Sequence, residues 1–141
     1  MTDSPLRPPL DIATEVLDRL SIRYALVGGL AVGVWGASRA TDDIDLFAEI
    51  VPSVRPLLRR ELVQREFDVP AMEEELQQFG VFRSLFRPTD VYLDIFDAQN
   101  PLGEAILARR RNVPVQGRAR WTAAAEDLAV LKAFSPGTTK I

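Results

Sequence analysis

The sequence predicts an α+β fold, a small, mixed and twisted β-sheet with helices packed on it. Short apolar runs of strand length, such as residues 22–27 and 91–96, alternate with segments whose apolar residues recur at helical spacing, such as residues 10–21. The chain has 141 residues, 47% of them hydrophobic, which suits one domain with its own core. We therefore expect a single domain over residues 10–141, after a flexible lead over the polar, proline-rich residues 1–9.

Composition excludes several kinds of chemistry. The chain has no cysteine, which excludes disulfides and thiolate metal sites, and no histidine, which excludes a histidine base and Ser/His/Asp triads. Carboxylates are then the best candidates for catalytic groups. No apolar run approaches about 18 residues and no signal-peptide core is present, so we expect a cytoplasmic protein without membrane contact. The net charge of −3 argues against sequence-independent binding to long nucleic acid, although it leaves room for a local basic groove.

The order of elements follows from periodicity and turn signals. In the first half, the patterns predict a helix over residues 10–21, a strand over 22–27, a helix over 30–37, a strand over 43–48, and helices over 53–63 and 72–78. In the second half, they predict strands over 79–86 and 91–96 around a turn at 87–90, a helix over 102–110, a hairpin of 112–115 with 118–122, and a helix over 123–134.

A glycine pair, Gly28 and Gly29, directly follows the first predicted strand. Without a Cβ atom the backbone can turn sharply and approach a ligand closely. If a helix begins at Leu30, its free N–H groups and positive dipole end face any phosphate placed there. Such a pair is more often only a tight turn, so its meaning depends on its neighbours.

Two aspartates alternate with apolar residues in the strand that follows the short helix. Asp43 and Asp45 point to the same side because a strand has a side-chain period of two, and their Cα atoms should lie roughly 6.6 Å apart. Two carboxylates so close call for a counter-charge, and oxygen ligands suit a divalent cation such as Mg²⁺. Alone, an acidic pair of this kind is usually a solvated strand face.

A third acid, Asp94, interrupts the apolar alternation of residues 91–96. It shares a face with Tyr92 and Phe96, where it is either an ordinary edge-strand aspartate or a third carboxylate of a metal site. Asp97 is a poorer candidate, since it falls on the opposite face at the strand end.

These motifs resemble a known family. The string GGLAVGVWGASRATDDIDL, residues 28–46, is similar to the signature of the DNA polymerase beta-type nucleotidyltransferase superfamily, and in particular to its small prokaryotic branch, which includes AbiEii-type toxins of toxin–antitoxin systems. The string AAAEDLAVLKAF, residues 123–134, is similar to a segment of that branch around a Glu-Asp-Leu and a lysine. The resemblance covers residues 22–134.

The resemblance implies a nucleotidyltransferase fold and the transfer of a nucleotidyl group from an NTP to a hydroxyl acceptor, with release of pyrophosphate. It implies two Mg²⁺ ions, or Mn²⁺, bound by Asp43, Asp45 and Asp94. It implies nucleotide contacts from Gly28, Gly29, Arg39, Thr41 and Lys132. For Thr41 we favour a role in fixing the turn before the acidic strand, and for Lys132 a plain surface lysine is an equal alternative.

Several questions stay open at this level. The acceptor could be tRNA, another nucleic acid, a protein side chain or an aminoglycoside-like small molecule, and a cognate antitoxin is a further expected partner. Members of the resembled branch usually continue with a helical segment, so this chain either is a short variant or lacks that segment. We expect a homodimer or partner contact through residues 128–134, where a missing helix would leave apolar surface.

The sequence leaves three further alternatives. The chain could be a catalytically silent relative that only binds an NTP or a partner. A glycosyltransferase with an Asp-x-Asp motif is disfavoured, because it would not need the glycine pair where it stands. Five arginines between residues 109 and 120 form either a patch that contacts phosphate or RNA, or a solvated face, which we favour.

Overall fold

The computed structural model describes residues 4–36 and 43–133, without the side chains of residues 132 and 133. The strands are β1 (Tyr24–Val27), β2 (Asp43–Ala48), β3 (Phe67–Asp68), β4 (Val81–Phe86), β5 (Val91–Asp97), β6 (Arg111–Val115) and β7 (Arg118–Thr122). The helices are α1 (Arg7–Arg19), α2 (Gly28–Val34), α3 (Arg55–Gln64), α4 (Met72–Phe79), α5 (Pro101–Arg109) and α6 (Ala125–Ala133).

The strands form one mixed sheet in the order β3-β4-β5-β2-β1-β7-β6, which confirms the predicted α+β class. The central strand β2 runs parallel to β5 and antiparallel to β1, and two antiparallel hairpins, β4–β5 and β6–β7, extend the sheet on either side. Alternation divides β2 and β5 into two faces: Ile44, Leu46, Leu93 and Ile95 are fully buried on one, and the aspartates lie on the other. None of the described helices is both long and apolar enough to span a membrane.

Element boundaries differ from the predicted ones for identifiable reasons. α1 begins at Arg7, because prolines are well suited to the first turn of a helix. The prediction that residues 7–9 belong to a flexible lead is therefore wrong. α4 ends at Phe79, and Gly80 follows it with a left-handed φ of 72°, so the next strand begins only at Val81. α6 begins two residues later than predicted, because the N–H of Ala123 still donates to the carbonyl of Leu26 in the sheet.

The apolar face of α6 packs into the core. Leu128 and Leu131 are each only 6% exposed, whereas Val130 faces outward at 42%. The two leucines therefore cannot form the dimer contact that we predicted on residues 128–134, because the domain itself already covers them. Phe134 lies outside the described residues, and the homodimer as such stays a prediction.

Candidate active site

The glycine turn and the acidic strand meet at Asp45. β1 pairs with β2 so that Val27 lies opposite Asp45, and the next residue, Gly28, opens α2 with a φ of +73°. A Cβ atom at Gly28 would overlap Oδ2 of Asp45 and lie 3.1 Å from its Cγ. Both the backbone conformation and the space thus require glycine, and the carboxylate of Asp45 rests against the turn.

The second strand brings another carboxylate to the same place. In the parallel pairing of β2 with β5, Asp45 lies directly opposite Asp94, and Asp43 lies opposite Tyr92. Asp43, Asp45 and Asp94 therefore share one face of the sheet, which we call the acidic face. Asp45 is 6% exposed and Asp94 is 9% exposed. The shared face agrees with the predicted alternation, whereas the roles of these residues stay predictions.

An arginine that the sequence analysis missed lies among these carboxylates. Arg83 lies opposite Asp94 in the β4–β5 hairpin and donates two hydrogen bonds to it, Nε to Oδ1 and Nη2 to Oδ2, both at 2.9 Å. Its Nη2 also lies 3.9 Å from Oδ2 of Asp43, and its guanidinium stacks 4.1 Å from the ring centre of Tyr92. The hydrogen bonds to Asp94 raise the pKa of Arg83, against the opposing effect of burial.

A signal for Arg83 was present in the sequence. The predicted turn at residues 87–90 puts Phe86 opposite Val91, and the hairpin register then puts Arg83 opposite Asp94, as observed. The sequence analysis predicts the turn but not this pairing of Arg83 with Asp94.

The potential ligand atoms of the acidic face are of the type that a divalent cation such as Mg²⁺ prefers. They are oxygen atoms only, two carboxylates from one strand and one from its neighbour, and the backbone at Gly28 leaves room that a side chain would fill. Within the described part of the chain, however, no three acidic side chains come close enough together to hold a metal ion as they stand. Asp94 is turned toward Arg83, so its carboxylate would have to leave that partner before it could join a metal site.

The other predicted nucleotide contacts divide into three groups. Gly29 lines a cavity of about 420 Å³ between α2 and the β6–β7 hairpin, which none of the three aspartates lines. Arg39 and Thr41 lie outside the described residues. Lys132 belongs to α6, but its side chain is not among those described.

The five arginines between residues 109 and 120 turn out to be bound within the chain. Arg109 pairs with Asp127, and Arg110 donates to the carbonyl of Tyr24 and stacks on Trp121. Arg111 donates to the carbonyl of Arg110, and Arg118 pairs with the carboxylate of Asp11. Arg120 pairs with the same carboxylate and also donates to Thr14 and to the carbonyl of Val115. Arg120 is only 2% exposed. Arg109, Arg111 and Arg118 are nonetheless exposed, as the favoured solvated face implies, whereas Arg110 is half-buried. A contact of the exposed arginines with phosphate or RNA stays a prediction.

Comparison with solved structures yields nucleotidyltransferases. The lincosamide antibiotic adenylyltransferase LnuA, solved with lincomycin bound, matches at 16% identity over 98% of this chain and 90% of its own, with a TM-score of 0.66. The antibiotic-resistance factor ANT(2'')-Ia matches at 18% identity over 96% and 76%, with a TM-score of 0.68. An antigenic nucleotidyltransferase-like protein from Paracoccidioides brasiliensis matches at 22% identity over 94% and 67%, with a TM-score of 0.60.

These likenesses confirm the predicted nucleotidyltransferase fold. No protein-family model matches the chain, and no curated protein does. The narrower placement among AbiEii-type toxins therefore stays a prediction.

Proposed function

We propose that this protein transfers a nucleotidyl group from an NTP to a hydroxyl acceptor, with Asp43, Asp45 and Asp94 as ligands of divalent cations. The observation that carries the proposal is the contact between Asp45 and the glycine turn. The left-handed φ and the closeness of Asp45 both require a residue without a side chain at Gly28, so bare backbone lies directly beside a nearly buried carboxylate. Bare backbone of this kind lets a ligand approach the carboxylate closely.

The glycine turn and the aspartates of the acidic face have different tasks in this proposal. The bare backbone at Gly28, with Gly29, lets a triphosphate approach the carboxylates. Asp45 and Asp43 hold the cations, and Asp94, opposite Asp45, shares in holding them and orients the acceptor hydroxyl. When bound, Mg²⁺ or Mn²⁺ would neutralise the charge on the phosphoryl oxygens during in-line displacement. The chain contributes position and water exclusion, because Asp45 and Asp94 are almost fully buried.

For the acceptor, the internal pairing of the arginines weighs against a long nucleic acid. All five cations of residues 109–120 have partners within the chain, and the net charge is −3. The structural neighbours include an antibiotic adenylyltransferase and an antibiotic-resistance factor, but also a tRNA-processing enzyme. The match covers 90% and 76% of the two antibiotic-related proteins and only 36% of the tRNA-processing enzyme, and on this ground we favour a small hydroxyl compound over tRNA. A protein acceptor, an antitoxin partner, a toxin role and a cytoplasmic location remain part of the wider hypothesis.

A second candidate is a protein of this fold that binds an NTP without transferring it. It is favoured by Arg83, whose guanidinium already neutralises Asp94 and approaches Asp43. A site permanently closed in this way would bind nucleotide through the glycine turn only.

A transfer assay separates the two candidates. The purified chain is incubated with each α-³²P-labelled NTP, with Mg²⁺ or with chelator, and with either total tRNA or a panel of hydroxylated small molecules. Transfer predicts a Mg²⁺-dependent labelled product and release of pyrophosphate. Binding of NTP with no labelled acceptor under any of these conditions would favour the silent relative. A matched variant, Asp45→Asn, shows whether any label depends on the acidic face.

A further inference from the structure

We propose that Arg83 is a built-in counter-cation of the acidic face, which holds Asp94 and competes directly with a divalent cation for it. The inference rests on the proposed function, because it takes the acidic face to be the metal-binding face. It assigns a positioning role to a residue outside the motifs that suggested the function.

The geometry is that of a strong pair. Two parallel hydrogen bonds of 2.9 Å join the guanidinium edge of Arg83 to both oxygens of Asp94, so a cation that approaches from this side would have to displace the guanidinium. The same Nη2 reaches to 3.9 Å from Asp43. Arg83 thus touches two of the three carboxylates from one side.

Burial explains why such a partner is needed. Asp94 and Asp45 lie opposite each other on neighbouring strands, and each is less than a tenth exposed. Like charges that are close and poorly hydrated destabilise each other unless a cation lies nearby. Before any metal arrives, Arg83 supplies that cation and holds the carboxylate of Asp94 in place.

The surroundings of Arg83 allow its side chain to move while its backbone stays fixed. The side chain is 44% exposed, and its backbone N–H donates to Oε1 of Glu75 at 3.0 Å, which ties the strand to α4. A cavity of about 320 Å³ is lined by Arg83 itself and, among others, by Tyr92, Glu75 and Asp68. The guanidinium already stacks on the ring of Tyr92, which would remain a partner for it after it leaves Asp94.

Competition of this kind has a defined thermodynamic consequence. The apparent affinity for the cation equals the intrinsic affinity multiplied by the fraction of molecules in which Asp94 is free of Arg83. If that fraction is about one tenth, removal of the guanidinium should tighten cation binding about tenfold. A purely structural arginine would show the opposite sign, because its loss would disorder Asp94 and weaken the site.

The test is a titration with Mn²⁺ alone, followed by the EPR signal of the free ion. Wild type is compared with Arg83→Gln, and with Arg87→Gln, which removes an arginine from the end of the same hairpin where it pairs with Asp68 at 3.2 Å. We expect Arg83→Gln to bind Mn²⁺ about tenfold more tightly and to melt lower than wild type in chelator, and Arg87→Gln to bind as wild type does. Unchanged or weaker binding by Arg83→Gln overturns the proposal.

Arg83→Lys separates direct competition from the general electric field, and it decides the matter if Arg83→Gln does not fold. Lysine keeps the charge but cannot make the two parallel bonds. Tighter Mn²⁺ binding by Arg83→Lys supports direct competition, whereas affinity equal to wild type contradicts it.

The Asp45→Asn variant shows which of the two proposals has failed, the function or the role of Arg83. If it binds Mn²⁺ as wild type does, the acidic face is not the metal site and the proposed function is wrong. If it loses the ion while Arg83→Gln gains nothing, only the role of Arg83 is wrong.

Discussion

The arginine-rich edge of residues 109–120 and the acidic face both concentrate charge, and they use it in different ways. At the edge, each of the five guanidinium groups has a partner within the chain, and Arg120 is almost completely buried. On the acidic face, the half-exposed Arg83 pairs with Asp94 and lies 3.9 Å from Asp43, and Asp45 lies opposite Asp94. The first region uses its charge to tie elements of the fold together, whereas the second places two nearly buried carboxylates opposite each other on neighbouring strands. A cluster of charge in a sequence does not distinguish these uses.

The largest effect on stability should follow from loss of the buried arginine at the edge. Arg120 donates to Thr14 and to the carbonyl of Val115, and it pairs with Asp11. Arg120→Met should lower the free energy of unfolding by about 3 kcal/mol, because it leaves two buried acceptors and the partly exposed carboxylate of Asp11 without their donor. Urea denaturation followed by circular dichroism measures the change.

Arg118→Met is the matched control at the edge. Arg118 lies 3.7 Å from the same carboxylate of Asp11, but its side chain is 56% exposed. Its loss should cost less than about 1 kcal/mol. Equal losses for the two variants would show that burial does not govern the value of charge at this edge.

A smaller effect is expected at the glycine turn. Gly28→Ala places a Cβ on the carboxylate of Asp45 and forces a left-handed alanine, which should cost about 1–3 kcal/mol and abolish transfer. Gly33→Ala, in the same helix, meets nothing within 4 Å and should be neutral or stabilising by up to about 1 kcal/mol. Thermal melts and the transfer assay on both variants check this. A Gly28→Ala protein as stable and active as wild type would remove the observation that carries the proposed function.

The smallest effect concerns pH near the arginine-rich edge. Burial raises the pKa of Asp18, and the nearby Arg110 offsets only part of that increase. Because the native pKa is raised, the ionised carboxyl costs stability above the unfolded value of about 3.9, in full once the pH exceeds the native value. Asp18→Asn should therefore melt slightly higher than wild type at pH 7, and this gain should disappear below about pH 3.5. A mutant that melts lower at pH 7 would show that Arg110 dominates at this position.

Much of the fold was predictable because its signals are local. The alternation in β2 and β5 placed three aspartates on one face, and the turn at residues 87–90 defined the β4–β5 hairpin. The direct pairing of Asp45 with Asp94 was not predictable, because two parallel strands 49 residues apart carry no local record of their register. The two-residue strand β3 was missed because a pair of residues is too short to show a period.

The charged side chains were the hardest to interpret from sequence. Arg120 occupies an ordinary exposed-looking position in a polar hairpin, and only the packing of α1 against β7 brings Asp11 and Thr14 to it. Arg83 likewise has no motif of its own. Long side chains reach several ångströms from their backbone, so their partners depend on tertiary contacts that periodicity does not contain.

The central claim is that the aspartates of the acidic face bind metal and nucleotide, and thermal melts test it most directly. Wild type, Asp45→Asn and the exposed control Asp68→Asn are melted in chelator and in Mg²⁺ with NTP. We predict that Mg²⁺ with NTP raises the midpoint of wild type and of Asp68→Asn, because a ligand that binds only the native state stabilises it. Asp45→Asn should melt at least as high as wild type in chelator, since it relieves crowding of like charges, and should gain little from Mg²⁺ with NTP. A lower midpoint for Asp45→Asn in chelator, together with equal shifts for all three proteins, would contradict the account and make these aspartates structural.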